Sequence, residues 1–274
     1  MYAFGPIPKQ QRSGRVIGTH QKIDRVARRH LTPHLKARVD FPVIHDILHF
    51  EGSRGPDAIK MKSPGRDEPW HFIDPGHITS DDVLLVIIRD HSANLTEALA
   101  KGNPERAAFE AAWLAHAVTD GLTPAHHDPM DDQVKDLRAS DHRKDTFRSR
   151  IIMTGNGSGK TFVQNNWKYW GVKGIATTHA LFEAGVATTA KPLRFNDAAP
   201  TNQDIANLTE HGFEALYIDT VKVIDSLHMY DQFKRHGWTH DLARQTSREL
   251  LPTIIRAVTL AWYEAYSQAL EVKQ

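Results

Sequence analysis

The sequence of 274 residues contains no cysteine. This absence excludes a disulfide scaffold, a thiolate nucleophile and a cysteine-ligated zinc site, so any metal ion must be held by histidine, aspartate and glutamate. The longest purely aliphatic run, Val83 to Ile88, is far too short to span a bilayer. The first residues also lack the apolar stretch of a secretory leader. We therefore expect a cytoplasmic protein, or a secreted one if a leader precedes this chain.

The sequence also lacks a charge excess, because its formal net charge is +1. No overall electrostatic field therefore favours nucleic acid as a partner. Residues 1–39 carry nine Lys and Arg against the single acid Asp24, and we interpret this excess as a solvated helix face. Histidine is unusually frequent, with 17 residues, and the positions of these histidines carry the functional hypothesis.

Helical signals dominate the chain, and no stretch alternates convincingly between apolar and polar residues. The sequence predicts an all-α fold in which residues 1–274 form a single compact multi-helix domain. The expected helices run from the N-cap Thr19 to Leu31, from Ser80 to the terminating Gly102, from the N-cap Asn103 to about Gly121, from about Ile175 to Ala190, from the N-cap Thr201 to about Asp231, and from about Thr239 to Val272 with a kink at Pro252.

Two of these helices carry a histidine four residues before a carboxylate, beside an apolar stripe. His116 and Asp120 continue a stripe that contains Phe109, and His179 precedes Glu183 in the same way. Such a pair can hold one cation between its two side chains, although a hydrogen-bonded pair in an ordinary core is the alternative. Two such pairs without any thiolate favour zinc in a hydrolytic site.

Further candidate ligands lie outside these two pairs. His126 follows the end of the first of the two helices and is placed to supply a third nitrogen. His71 stands between two aromatic residues in a loop rich in glycine and proline, Asp57 precedes it by fourteen positions, and His20 begins the first helix. We expect the neighbouring His127 to face solvent.

The order of these residues resembles the bacterial zinc-dependent phospholipase C enzymes, whose fold is shared by the zinc-dependent single-strand nucleases. The resemblance spans most of the chain, and eight ligand types recur in the same order. It is carried by Gly18-Thr19-His20, by Pro56-Asp57, by His71-Phe72-Ile73-Asp74-Pro75, by His116-x-x-x-Asp120 with Thr123-Pro124-Ala125-His126, and by His179-x-x-x-Glu183. The Thr-Pro-x-His string is more similar to the phospholipases than to the nucleases.

The resemblance implies a set of zinc ligands and a catalytic residue. One zinc would be held by Asp57, His71, His116 and Asp120, a second by His126, His179 and Glu183, and a third by His20, Asp120 and an N-terminal Trp. This chain has no Trp before His20, so two zinc ions are expected and the third is left open. Asp57 would also orient or deprotonate the attacking water, which gives it a catalytic role.

An insertion separates this chain from the relatives that it resembles. His126 and His179 are 53 positions apart, and the intervening segment 141–178 holds seven Lys and Arg against two Asp. Its aromatic residues are Phe147, Phe162, Trp167, Tyr169 and Trp170. This composition suits a phosphate-rich interface made of lipid headgroups or single-stranded nucleic acid, but it is equally typical of a surface excursion that packs on the domain.

These features together predict a zinc-dependent phosphodiester hydrolase. The favoured reaction is phospholipase C-type cleavage of phospholipids by a zinc-bound hydroxide. The alternatives are a single-strand nuclease of the same superfamily and a non-catalytic zinc-binding domain. The expected partners are a phospholipid or another phosphodiester, a membrane surface, or single-stranded nucleic acid. No obligate protein partner is indicated. Ala58 and Glu68 stand where choline-preferring relatives commonly have aromatic residues, so a choline cage is not predicted.

Overall fold

The computed structural model describes residues 18–36, 39–51, 55–56, 72–127, 137, 152–153 and 159–273 of the chain. Within these ranges the secondary structure is helical and no strand is present. The α-helices are α1 (Thr19–Leu31), α2 (Ile44–Glu51), α3 (Val83–Ala100), α4 (Pro104–Gly121), α5 (Gly159–Trp170), α6 (Ile175–Ala190), α7 (Asn202–Ser226), α8 (Met229–His236), α9 (His240–Gln245) and α10 (Leu251–Val272). Single turns of 3-10 helix at Thr32–His34, Pro124–His126 and Asn196–Ala198 join some of them.

Local capping signals place several helix ends where the sequence predicts them. The side chain of Asn103 accepts a hydrogen bond from the backbone N–H of Arg106, and Thr201 caps α7 through the N–H of Asp204. Gly102 has a φ of +66°, the left-handed conformation that ends a helix and favours glycine.

The predicted starts of two helices are shifted by one or two residues. Gly18, and not Thr19, is the N-cap of α1, and Thr19 is the buried first residue of the helix. At the start of α3, Asp82 replaces the expected Ser80, and its Oδ1 accepts the N–H of Leu84 at 2.9 Å. Both serine and aspartate are favourable N-cap residues, so residue type alone could not show which of the two positions begins the helix.

The two long C-terminal helices are each divided. The expected helix from Thr201 to Asp231 ends at Ser226, because His228 adopts a left-handed conformation with a φ of 49° before α8 begins. The last segment contains a π-helical turn, Thr246–Leu250, just before Pro252. Proline lacks an N–H and its ring clashes with the carbonyl four residues earlier, and the wider turn accommodates it.

Helix α4 lies at the centre of the molecule. It packs against α1, α2, α3 and α10, and most of its residues are buried. Six buried alanines let these neighbours approach closely: Ala107, Ala108, Ala111, Ala112, Ala115 and Ala117. The indole Nε1 of Trp262 in α10 donates to the carbonyl of Ala111 at 2.9 Å, which fixes the two helices relative to each other. Polar residues near the end of α4 are therefore enclosed by protein.

One large apolar cluster joins helices from both ends of the described sequence, from Ile23 to Ala269, which gives a compact single domain. A smaller cluster of Leu137, Met153 and Tyr169 lies beneath α5. Among the helices with defined bounds, none combines the length and the hydrophobicity that crossing a bilayer requires.

Helix α7 bends at Gly212, whose φ of +76° interrupts the helical backbone. The carboxylate of Glu264 in α10 accepts a hydrogen bond from the backbone N–H of Phe213 at 2.7 Å. This N–H follows the bend, and it is therefore satisfied by a side chain of another helix. Burial raises the pKa of Glu264, the bond from Phe213 opposes this rise, and the charge of Glu214 adds to it. The net direction is upward, so the folded protein holds this proton more tightly than the unfolded chain does.

We predict that Glu264→Gln increases stability at neutral pH. The amide oxygen can accept the same bond without burying a charge. Because the pKa is raised on folding, the stability of the parent protein falls as the pH rises from 4.5 towards the higher folded-state pKa. Below pH 4.5 the parent protein keeps this proton in both states, so the variant should no longer have a higher free energy of unfolding than the parent. Urea unfolding at several pH values measures it, with Glu271→Gln on the exposed end of the same helix as control.

We predict that Gly121→Ala destabilises the protein by about 1–3 kcal/mol through overpacking. A β-carbon at position 121 would lie 2.0 Å from the hydroxyl of Tyr217 and 2.4 Å from Cδ2 of Leu84. Both of these side chains are fully enclosed and cannot swing away. Gly159→Ala is the control, since nothing lies within 4 Å of the position that a β-carbon would take there. Equal urea midpoints for the two variants would contradict the prediction.

Candidate metal centre

The first group of candidate ligands comprises His20, His116 and Asp120, all buried. His20 lies in the first turn of α1, while His116 and Asp120 are one turn apart near the end of α4. The carboxylate of Asp120 faces an imidazole on each side, with its Oδ1 3.2 Å from His20 Nε2 and its Oδ2 3.2 Å from His116 Nε2. The two imidazoles stack with their centroids 4.0 Å apart. Helix spacing brings two of these residues together, and the packing of α1 on α4 adds the third.

The second group comprises His126, His179 and Glu183. His126 ends the 3-10 turn after α4, and its N–H donates to the carbonyl of Thr123 at 2.8 Å. His179 and Glu183 are one turn apart on α6. His126 Nε2 lies 3.2 Å from His179 Nε2 and 3.3 Å from Glu183 Oε1, and the latter two atoms are 3.1 Å apart. Three potential donor atoms thus form a nearly equilateral triangle.

The dimensions of this triangle fit a small divalent cation. A tetrahedral ion that binds nitrogen and oxygen at 2.0–2.2 Å separates its ligand atoms by about 3.3 Å. The three measured separations, 3.1, 3.2 and 3.3 Å, match one face of such a tetrahedron. Each buried triad could therefore hold a metal ion.

The two groups adjoin each other. His126 Nδ1 of the second group lies 3.7 Å from Asp120 Oδ1 of the first. Asp120 is 1% exposed and His126 is 3% exposed, so the contact is shielded from solvent. The centre is therefore a continuous array of imidazoles and carboxylates.

The protonation of the centre suits cation binding. Burial lowers the pKa of His126 to about 4, which leaves its imidazole neutral at physiological pH. Burial tends to raise the pKa of Asp120, but the neighbouring His116 and His20 are among the groups that bring its net pKa well below the ordinary value. Glu183 behaves in the same way, because His179 and His126 oppose the effect of burial on its pKa. Two buried carboxylates thus remain negative beside neutral imidazole nitrogen.

A second carboxylate that sequence reasoning missed supports the first group. Glu51, the last residue of α2, is completely buried, and its Oε1 accepts a hydrogen bond from His116 Nδ1 at 3.0 Å. The same oxygen lies 3.8 Å from His20 Nδ1. A carboxylate on the outer nitrogen of an imidazole fixes the ring and leaves its other nitrogen for a metal ion. Glu51 therefore orients His116 so that Nε2 faces Asp120.

Asp24 is a further buried acid, and it interacts with Glu51. Burial raises its pKa well above the ordinary value, and the charge of Glu51 raises it further. Asp24 therefore holds its proton more tightly than an exposed aspartate does. Two signals could have identified these residues. Asp24 follows His20 by four positions, and Glu51 follows the buried Ile47 by four positions on the apolar side of α2.

Six of the eight predicted ligands converge in this centre, and the other two, Asp57 and His71, lie outside the described residues. The prediction that His127 faces solvent is wrong. Its side chain is 6% exposed, and its Nε2 donates to the carbonyl of Gly121 at 3.0 Å. Successive residues of a 3-10 turn point about 120° apart, so His126 enters the centre while His127 packs against the end of α4.

Comparisons of the chain with protein-family models and with curated proteins find no match.

We predict that Glu51→Gln weakens metal binding at the first group by about 10–100-fold, as expected for the loss of a carboxylate behind a ligating imidazole. Competition with a chromogenic chelator measures the affinity. Glu110→Gln is the matched control, because Glu110 is equally buried and bonded to His91 but lies in neither ligand group. Equal affinities for the two variants would show that Glu51 has no part in metal binding.

Proposed function

We propose that the protein is a zinc-dependent phosphodiester hydrolase of the phospholipase C type. The proposal rests mainly on one observation: two groups of imidazole and carboxylate ligands adjoin across the 3.7 Å contact of His126 with Asp120. Adjacent pairs of metal ions are typical of enzymes that hydrolyse phosphodiesters. The order of ligand residues along the chain, which resembles that of the zinc-dependent phospholipases, supports the same reaction.

Zinc is the proposed metal because of the chemistry of the donors. Both groups combine two imidazoles with one carboxylate, and no thiolate is available anywhere in the chain. Two histidines with one glutamate form a recurrent ligand set of hydrolytic zinc sites, which keep a coordination position for water or substrate. A purely structural zinc is instead closed by four protein ligands. The second group contains the catalytic type of set, two histidines and one glutamate, among the described residues.

The residues of the centre have separate roles in this proposal. Divalent cations held there would supply positive charge that activates water and neutralises phosphoryl oxygens. Asp120 would hold the two groups together, since its oxygens face both imidazoles of the first group and its Oδ1 lies 3.7 Å from His126 Nδ1 of the second. Glu51 keeps the imidazole of His116 in the orientation required for binding. Asp57, proposed to orient or deprotonate the water, and His71, proposed as a further ligand, lie outside the described residues.

We predict that Asp120→Asn removes activity on phosphatidylcholine micelles together with bound metal. The amide keeps the shape of the side chain but loses the charge that faces both imidazoles. The loss of activity should exceed the roughly 100-fold that is typical when a residue hydrogen-bonded to a metal ligand is replaced. Metal content by mass spectrometry and phosphate release from the same preparations provide the two measurements, and circular dichroism verifies the fold.

The choice of substrate separates the proposed function from its alternatives. The parent protein should cleave phosphatidylcholine micelles and leave single-stranded DNA intact under the same conditions. Cleavage of DNA only would identify a nuclease that uses the same centre. Full metal occupancy without cleavage of either substrate would indicate a non-catalytic zinc-binding domain. Full activity of the Asp120→Asn variant would show that the metal centre takes no part in the reaction.

A further inference from the structure

Helix α5 and the residues that follow it expose an unusual amount of apolar surface. Trp167 is 69% exposed, Val163 is 64% exposed and Val172 is 79% exposed. Phe162 and Trp170 are also exposed. Large apolar side chains that are exposed together on one short segment indicate a surface that contacts a partner. We call the set Val163, Trp167, Trp170 and Val172 the α5 apolar face.

The α5 apolar face is not the side by which the helix packs on the domain. Asn165 and Tyr169 form the inner side, where the Asn165 amide donates to the carbonyl of Leu137 at 3.0 Å and the Tyr169 ring joins the small apolar cluster. Val163, Trp167 and Trp170 follow one another at intervals of four and three residues, which places them on a common stripe away from the inner side. The helix is therefore anchored by one face while a second, apolar face points outward.

The charged residues along this segment have one sign. Between residues 159 and 182 the chain carries Lys160, Lys168 and Lys173 and no aspartate or glutamate. All three lysines are exposed. An apolar stripe with tryptophan, bordered by lysine and lacking acids, has the composition of helices that lie in the interface of an anionic membrane.

A hydrogen bond ties the end of α5 to the helix that carries His179 and Glu183. Thr177 in the first turn of α6 donates through its hydroxyl to the carbonyl of Trp170, the last residue of α5, at 2.9 Å. His179 follows two residues later on the same helix. A surface that contacted α5 would therefore lie close along the chain to the second ligand group.

We propose that the α5 apolar face binds the surface of a phospholipid bilayer that contains anionic headgroups. The proposal names the surface that presents the substrate, and so it rests on the proposed phospholipase function. The aliphatic side chains Val163 and Val172 favour lipid over single-stranded nucleic acid, because they can enter the acyl region but cannot stack on bases. Tryptophan is also enriched where headgroups meet acyl chains.

Vesicle flotation of the full chain tests this proposal. The vesicles are phosphatidylcholine mixed with phosphatidylglycerol, compared with phosphatidylcholine alone. The parent protein should float preferentially with the anionic vesicles. The double variant Trp167→Ser with Trp170→Ser should lose at least about tenfold in partitioning, because two exposed aromatic anchors are removed. Lys168→Ala should lose about fivefold on anionic vesicles only.

Matched controls come from α7. Val223 is 60% exposed, close to the 64% of Val163, and Lys222 beside it is exposed like Lys168. Val163→Ser should weaken flotation, whereas Val223→Ser and Lys222→Ala should not. Circular dichroism of each variant verifies that the helices are retained, so a loss of flotation reports the surface and not unfolding.

Three results would overturn the proposal: absence of flotation of the parent protein, equal flotation of the α5 and α7 variants, or binding of single-stranded oligothymidine that depends on Trp167 and Trp170 while vesicles are not bound. Hydrolysis of a soluble phosphodiester, bis(4-nitrophenyl) phosphate, by the same preparations keeps the two proposals separate. Hydrolysis without flotation contradicts only the membrane surface. Flotation without hydrolysis contradicts only the proposed enzyme.

Discussion

The burial of Asp120 is the constraint on which the centre of this protein depends. A carboxylate that is 1% exposed is tolerated in a protein interior only when opposite charge or hydrogen-bond donors surround it. Here the imidazoles come from three places: His20 in α1, His116 one turn earlier in α4, and His126 in the turn that follows. One side chain therefore determines how the first helix, the central helix and the 3-10 turn approach one another.

The centre holds ionised carboxylates in the protein interior. The pKa values of Asp120 and Glu183 are both lowered, so both remain ionised, while burial keeps His126 neutral. Burial and the charge of Glu51 raise the pKa of Asp24, so Asp24 holds its proton more tightly than an exposed aspartate does. A buried cluster of carboxylates and imidazole nitrogens offers both the negative charge and the donor atoms that a divalent cation needs.

Much of the fold could be predicted from the sequence, because capping is a local interaction. Asn103 begins α4 and Gly102 ends α3 as expected, and residues four apart, such as His179 and Glu183, must share a helix face. The break at His228 could not be predicted, because neither glycine nor proline marks it. Glu51 was missed for another reason. Its contact with His116 joins residues 65 positions apart and arises only when α2 packs on α4.

The two ligand groups are supported by different parts of the fold. The first is fixed from within by α4, where small alanines let α1 and α2 approach closely. The second depends on α6, whose buried Phe182 packs edge-on against Tyr230, Phe233 and Trp238 of the segment that contains α8. His126 belongs to the second group yet contacts Asp120 of the first. It is consequently the residue at which two separately supported halves of the centre meet, and the short rigid turn Pro124–His126 sets the distance between them.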